Sequence, residues 1–330
     1  MGERGILDLI ISRLPGLSLR EKSVLCGSFA AQNDLLGAAK EDIEKIIGRR
    51  ISGKWNMQQA GELAQKDAGT ARLRGINWVS RYDDLYPPLL KEIYDPPPVL
   101  FFKGNLPDPS RPLAAIVGTR KPSPAAMQQA FVLARDLARG GISVVSGLAL
   151  GIDAMAHRGN IEGGIATFAV LGSSVDEVYP AANRQLAGRV LDCGGALISE
   201  YPPGTSPRKW TFPARNRIIS GISRGTLIIE APQKSGALIT AGFALEHNRD
   251  VWVASEGVAD GAPARIDRRG TQRLAEEGAQ VVYSACGILK TWGMETAVLE
   301  KAGFHAEPET SRDAVLSKAS SLAGSLGIKL

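Results

Sequence analysis

The stretch LAAIVGTRKPSPAAMQQAFVLARDLARGGISVV, residues 113–145, decides the fold. It opens on five uninterrupted apolar residues (113–117) and turns through Gly118. It then runs into an amphipathic segment that Ser123 caps, Pro124 begins and Gly140 ends. A second apolar run, ISVV (142–145), follows at once. A strand without polar alternation is one covered on both faces, and a strand–helix–strand unit pairs its strands in parallel. The same pattern recurs downstream. ATFAVLG (166–172), ALIS (196–199), TLIIE (226–230), VWVAS (251–255) and QVVY (280–283) read as strands, and ALITAGFALEHN (237–248) and TQRLAEEGA (271–279) as helices between them. The predicted architecture over 113–290 is an α/β, Rossmann-like, doubly wound and mostly parallel sheet.

Working outward, residues 1–75 read as short amphipathic helices: ILDLIISRL, SLREKSVLCGSFA, DLLGAAKEDIEKIIGRR and MQQAGELAQKDAGTARL. They form a small all-α unit, either a docking bundle or a helix-hairpin-helix whose LPGLS turn offers backbone amides to DNA. Residues 76–112 are rich in Tyr and Pro, with Pro96, Pro97 and Pro98 consecutive. Proline locks the backbone and removes donors, so this segment reads as an extended surface linker ending in a lead-in strand, VLFFKG. Residues 291–330 read as a short polar tail, too short for a winged helix.

Composition narrows the function classes. Of 330 residues 44% are hydrophobic, enough for a core and against global disorder. No apolar run reaches the roughly 18 residues of a membrane span, and the first residues lack the pattern of a secretory leader. Cys26, Cys193 and Cys286 are far apart with no C-x-x-C, which argues against a disulfide scaffold or zinc ribbon and for a reducing cytoplasm. The net charge of +5 is unevenly placed. Residues 205–225, TSPRKWTFPARNRIISGISRG, hold five bases and no acid, with Trp210 and Phe212 between the bases, a composition that suits a polyanion.

Ligands of open α/β sheets bind where strands end at their carboxyl edge. After the first strand comes GTRKPS, where Gly118 turns tightly, Thr119 offers a hydroxyl and Arg120 a guanidinium fork, with a helix start behind them. After the second comes SGLALGID, with Ser146 and Gly147. The third ends at Gly172, and the strand TLIIE leads into APQKSGALIT, with Ser235 and Gly236. Neither G-x-G-x-x-G nor G-x-x-x-x-G-K-[ST] occurs, so these turns carry no dinucleotide or P-loop fingerprint. A row of anion sites without a mononucleotide signature suits a chain of successive phosphates. Lys209, Arg215 and Arg217, flanking Asn216, would pair with phosphates while Phe212 or Trp210 stacks on an unpaired base. Alternatively Phe212 belongs to the core and the arginines lie along the surface.

Catalytic signals are sparse. His157, His247 and His305 are dispersed, and Asp153 with His157 lacks a third ligand, so neither metal nor cofactor is expected. His157 reads as a surface or cap residue. Glu230, at a strand end, is the one carboxylate placed for chemistry; the plainer reading pairs it with an arginine or a turn.

In this order the motifs resemble the DNA-processing protein A family (DprA, also called Smf). They are IVGTRKPS, VVSGLALGIDAMAHRG, AVLGSSVDEVYPAANRQLA, LISEYPPGTSPRKWTFPARNRIISGIS, TLIIEAPQKSGALITAGFALEHNRDVW and GTQRLAEEGAQVV, within about residues 80–285. The N-terminal helices are similar to that family's sterile-alpha-motif-like domain. The resemblance implies a non-enzymatic, dimeric, cytoplasmic protein that binds single-stranded DNA and loads RecA during natural transformation. It places the strand-end pocket at Gly118, Thr119 and Arg120 and the basic-aromatic patch at Lys209, Phe212, Arg215, Asn216 and Arg217. Where the family usually has Pro-Gly after the sixth strand, this chain reads VASEGVADGAPARIDRRG. Two rival readings remain at this point: a nucleoside-monophosphate phosphoribohydrolase-like enzyme, whose PGG-x-GT-x-x-E motif is absent here, and a docking scaffold.

Overall fold

A computed structural model describes residues 3–259 and 266–294. The chain begins with five helices, α1 (Glu3–Arg13), α2 (Leu19–Ser28), α3 (Gln32–Gly37), α4 (Lys40–Ile47) and α5 (Met57–Leu73). Next come β1 (Asn77–Ser80), the single turn α6 (Pro88–Lys91) and β2 (Val99–Gly104). The central run is β3 (Leu113–Val117), α7 (Pro124–Arg139), β4 (Ser143–Ser146), α8 (Ile152–Glu162), β5 (Phe168–Val170), α9 (Arg184–Asp192) and β6 (Ala196–Ser199). The last part is α10 (Thr211–Gly221), β7 (Gly225–Ile228), α11 (Gly236–Glu246), β8 (Asp250–Ala254), α12 (Arg269–Glu276), β9 (Gln280–Val282) and α13 (Ala285–Thr291).

The nine strands form one sheet in the order β1-β2-β6-β5-β4-β3-β7-β8-β9. From β3 to β9 every pairing is parallel; β2 joins β6 antiparallel and β1 joins β2 antiparallel. The seven apolar runs read from the sequence are these parallel strands. Their alternation sorts the core: Ala114 and Ile116 of β3 pack with α7, α8 and α13, whereas Leu113, Ala115 and Val117 pack with Ile218, Ile219 and Ile222 around α10. Burying each of those isoleucines contributes about 1.5–3 kcal/mol. Strand order reverses at β3, with β4, β5 and β6 laid to one side and β7, β8 and β9 to the other. The crossover from β6 to β7 carries α10 past that switch point, where a crevice opens in sheets of this kind.

Residues 76–112 differ from the expected surface linker. They add two strands to the sheet, and Pro96, Pro97 and Pro98 are buried, with Tyr86 donating to the Pro97 carbonyl at 2.8 Å. The three prolines stand before β2 begins at Val99, so their missing donors cost the sheet no ladder hydrogen bond. Leu7, Ile10 and Ile11 of α1 share a cluster with Trp78, Val99 and Phe101 of β1 and β2. The helical layer and the sheet therefore have a common core. Around the expected hairpin contact at LPGLS, the Ser18 amide donates to Glu21 at 2.7 Å, and Arg49 binds both Glu21 and the Gly16 carbonyl. The acid fills the place a phosphate would take. Residues 295–330, with the expected tail and His305, and residues 260–265 of the divergent loop lie outside the described residues.

Candidate nucleic-acid interface

A cleft of about 650 Å³ opens outside the carboxyl ends of β3 and β7, floored by the start of α10 and walled by the turn into α11. Nine of the sequence-derived site residues line it: Gly118, Thr119, Arg120, Lys209, Phe212, Arg215, Asn216, Ser235 and Gly236. Arg120 and Lys121 are exposed on one rim and Lys209 on another. The Arg120 guanidinium stands 5.7 Å from the centroid of the half-buried Phe212 ring, and Tyr179 lies against the same ring at 5.5 Å, tilted by 48°. Among the described residues the one acid in the lining is Asp153, which is buried.

Local sequence explains this shape. At Gly118 an added Cβ would sit 2.6 Å from Ile152 Cγ1 and 3.0 Å from the Glu230 carbonyl, so only glycine lets the Thr119–Arg120 turn pass close to α8 and β7. The Thr119 amide donates to the Glu230 carbonyl at 2.7 Å, which ties the turn to β7. Ser235 spends its hydroxyl capping α11 by accepting from the Leu238 amide, and a Cβ added at Gly236 would meet Asn216 Nδ2 at 3.9 Å, an ordinary contact.

Several expected contacts are absent from the rim. Ser146 is fully buried and donates to the Ile116 carbonyl at 2.6 Å. Gly147 is covered by the Arg215 guanidinium, and Gly172 by Phe212, whose Cδ1 a Cβ would meet at 2.9 Å. The turn amides that sequence offered to phosphates at two of the four sites are taken by the chain's own carboxylates. Asp153 accepts from Gly147 at 3.1 Å and Ala149 at 3.3 Å. Glu230 accepts from the Ser123 amide at 2.7 Å, the Ser123 hydroxyl at 3.0 Å and Arg268 at 2.7 Å. The anion site at the start of α7 is thus occupied from within, and Glu230, fully buried, is a structural anchor.

The three residues Arg215, Asn216 and Arg217 do not act as one patch, because successive helical positions are rotated by about 100°. Arg215 lies under the cleft, donating to the carbonyls of Gly147 (2.8 Å) and Val170 and to Asn216 Oδ1. Burial lowers its pKa to about 10, partly opposed by Asp153. Burial likewise raises the Asp153 carboxyl, opposed chiefly by Arg215. Asn216 donates to the Gly236 carbonyl at 3.0 Å and so joins α10 to α11. Arg217 points away from the cleft, held by Asp95 at 3.0 Å and Glu200 at 2.6 Å. Burial opposes its charge, yet Glu200 more than offsets this and raises its pKa.

His157 is buried rather than superficial, with Nδ1 at 2.8 Å from the Thr167 hydroxyl. That hydroxyl donates onward to the Val144 carbonyl, so Nδ1 carries the proton. Two cleft residues escaped the sequence reading. Lys121 was passed over beside Arg120, and Tyr179 beside its proline; an aromatic on a strand-end loop was the signal for the second. Among the described residues no cluster of His, Cys, Asp and Glu could hold a metal ion.

Residues 77–293 match the sequence model of the family described as DNA recombination-mediator protein A. The chain is 39% identical over 267 residues to Protein Smf of Synechocystis, covering 80% of this chain and 63% of that one. The chain therefore spans less than two thirds of that relative. Among solved structures, DNA processing protein A from Streptococcus pneumoniae superposes with a TM-score of 0.71 at 34% identity, covering 88% of this chain and 98% of that one. The protein of the same name from Helicobacter pylori, whose structure is described in terms of its single-stranded DNA binding mode, gives a TM-score of 0.56 at 29% identity, covering 66% and 95%.

Proposed function

Because the chain belongs to the DNA recombination-mediator protein A family, we propose that its sheet-edge cleft holds single-stranded DNA. The observation that carries this is one juxtaposition. Three exposed cations, Arg120, Lys121 and Lys209, surround an aromatic pair, Phe212 and Tyr179, in a lining that has no exposed acid among the described residues. The cations meet phosphates and release counterions, while Phe212 supplies a face for a base. Duplex DNA keeps its base faces stacked, so an aromatic floor favours an unpaired strand. The Helicobacter relative's single-stranded DNA binding mode supports the same reading.

The proposal extends to a DNA-processing role in natural transformation, with RecA and a second copy of this chain as protein partners in the cytoplasm. On helix α11, Leu245, 61% exposed, supports a protein contact. Among the described residues no helix is long and apolar enough to cross a membrane. No bond-making step is assigned. Glu230, the carboxylate that a nucleotide-hydrolysing reading would need, is consumed by Ser123 and Arg268.

The test is a polarisation titration with matched single- and double-stranded oligonucleotides across salt. Tighter binding of the single strand, weakening as salt rises, is the expected result. Equal or tighter duplex binding would reject the reading.

A further inference from the structure

A second cavity, of about 430 Å³, lies at the same edge of the sheet but beyond α10, where the N-terminal helices meet the residues after β6. Trp210, Ala214 and Arg217 line it, spaced at i, i+4 and i+7, while Lys209, Phe212 and Asn216 on the other side of that helix line the cleft. Resting on the proposed function, we infer that this cavity receives an unpaired base of the same DNA strand, guanine by preference. The strand would cross the start of α10 between the two sites.

Three features select a base rather than a phosphate. The walls are largely apolar and aromatic, with Pro97, Pro98, Tyr201, Trp210 and Phe243 among them. Trp210 is 59% exposed and meets Tyr201 edge-on at 6.0 Å, so its face is open to a stacking partner. The polar lining carries two carboxylates, Asp95 and Glu200, both held by Arg217, with Arg13, paired to Asp67, and Lys22 as further cations. A phosphate diester has no donor to offer these carboxylates, whereas guanine presents an adjacent ring N–H and amino group together. Asp95 is a third exposed, and burial raises its pKa despite Arg217, so its charge is under-compensated and gains from a donor edge. On the opposite wall Lys22, whose pKa burial lowers to about 8, supplies a donor for a carbonyl oxygen. Because a helix with its side chains is about 10–12 Å across, the two sites lie roughly three nucleotides apart at duplex spacing.

The experiment titrates the full chain with oligonucleotides of about four and about eight nucleotides, the longer ones carrying guanine or thymine distal to the cleft. Wild-type protein should bind the longer guanine strand roughly tenfold more tightly than the short one. Trp210→Ala should abolish that gain while leaving short-strand affinity unchanged. Asp95→Asn, which keeps Arg217 paired with Glu200, should erase the guanine-over-thymine preference. A length gain that survives Trp210→Ala overturns the inference, as does equal affinity for the two bases in wild type. Wild-type protein that binds no single strand of any length would instead reject the proposed function itself, and the inference with it.

Discussion

Replacing Arg120 with alanine removes one of three exposed cations at the cleft, together with its contact to Phe212 at 5.7 Å. Each phosphate neutralised on a single strand contributes about −0.7 to the slope of log affinity against log salt. With Arg120, Lys121 and Lys209 all engaged the slope is about −2.1, so raising salt from about 50 to about 200 mM weakens binding roughly eighteenfold. Without Arg120 the slope falls to about −1.4 and the same change weakens binding only about sevenfold. At about 0.1 M salt one such contact is worth about fivefold in affinity. Arg120→Ala should therefore bind an oligo-dT about fivefold more weakly there. Fluorescence anisotropy at four or five salt concentrations reads both quantities at once. Because Arg120 is exposed, losing its contact to Phe212 should cost no more than about 1 kcal/mol of stability, so the variant stays folded in the assay. A variant with the wild-type slope and wild-type affinity refutes the placement of phosphates in this cleft.

Three further outcomes separate the roles of neighbouring residues. Phe212→Ala should lose about 1–3 kcal/mol of single-strand affinity with its salt slope kept, since stacking releases no counterions; a changed slope in the anisotropy series would count against stacking. Arg215→Met strips a buried cation from Asp153 and from two carbonyls, so urea denaturation should show a loss of about 3–5 kcal/mol. A loss below about 1 kcal/mol would show that Arg215 is not the structural brace described. His157 is held neutral by burial, its pKa lowered from 6.5 to about 3. Its contribution is complete above about pH 6.5 and is lost as pH falls towards 3, at about 1.4 kcal/mol per unit. The urea midpoint of wild type should drop over that range, and His157→Gln should flatten the drop, leaving the smaller share from His247, which burial also lowers. An unchanged acid limb in His157→Gln would refute this.

The sheet was legible because parallel strands buried on both faces write themselves as unbroken apolar runs, and seven such runs became β3 to β9. β1 was not legible: Asn77–Ser80 is four residues long, and its two large side chains, Trp78 and Val79, go to opposite clusters. The cleft was legible where glycine, threonine and arginine follow a strand directly, as at Gly118–Arg120. It was misread where a linear cluster becomes a helix. Arg215 and Arg217 are adjacent in a list of bases but stand on different sides of α10, one beneath the cleft and one paired to Asp95 and Glu200. For Glu230 the sequence suggested an arginine or a turn as partner, as found, but it could name neither Ser123 nor Arg268, nor say that Asp153 fills the amides of Gly147 and Ala149. Those carboxylates are distant from part of what they bind, and only the folded sheet brings Glu230 to Ser123.

Photocrosslinking tests the central claim most directly. An oligonucleotide of about ten residues carrying photoreactive uridines is irradiated on the protein, and the adducts are mapped by mass spectrometry. Adducts on Phe212 or Tyr179 are the predicted result. Adducts confined to the opposite edge of the sheet, with none on either ring, would contradict it.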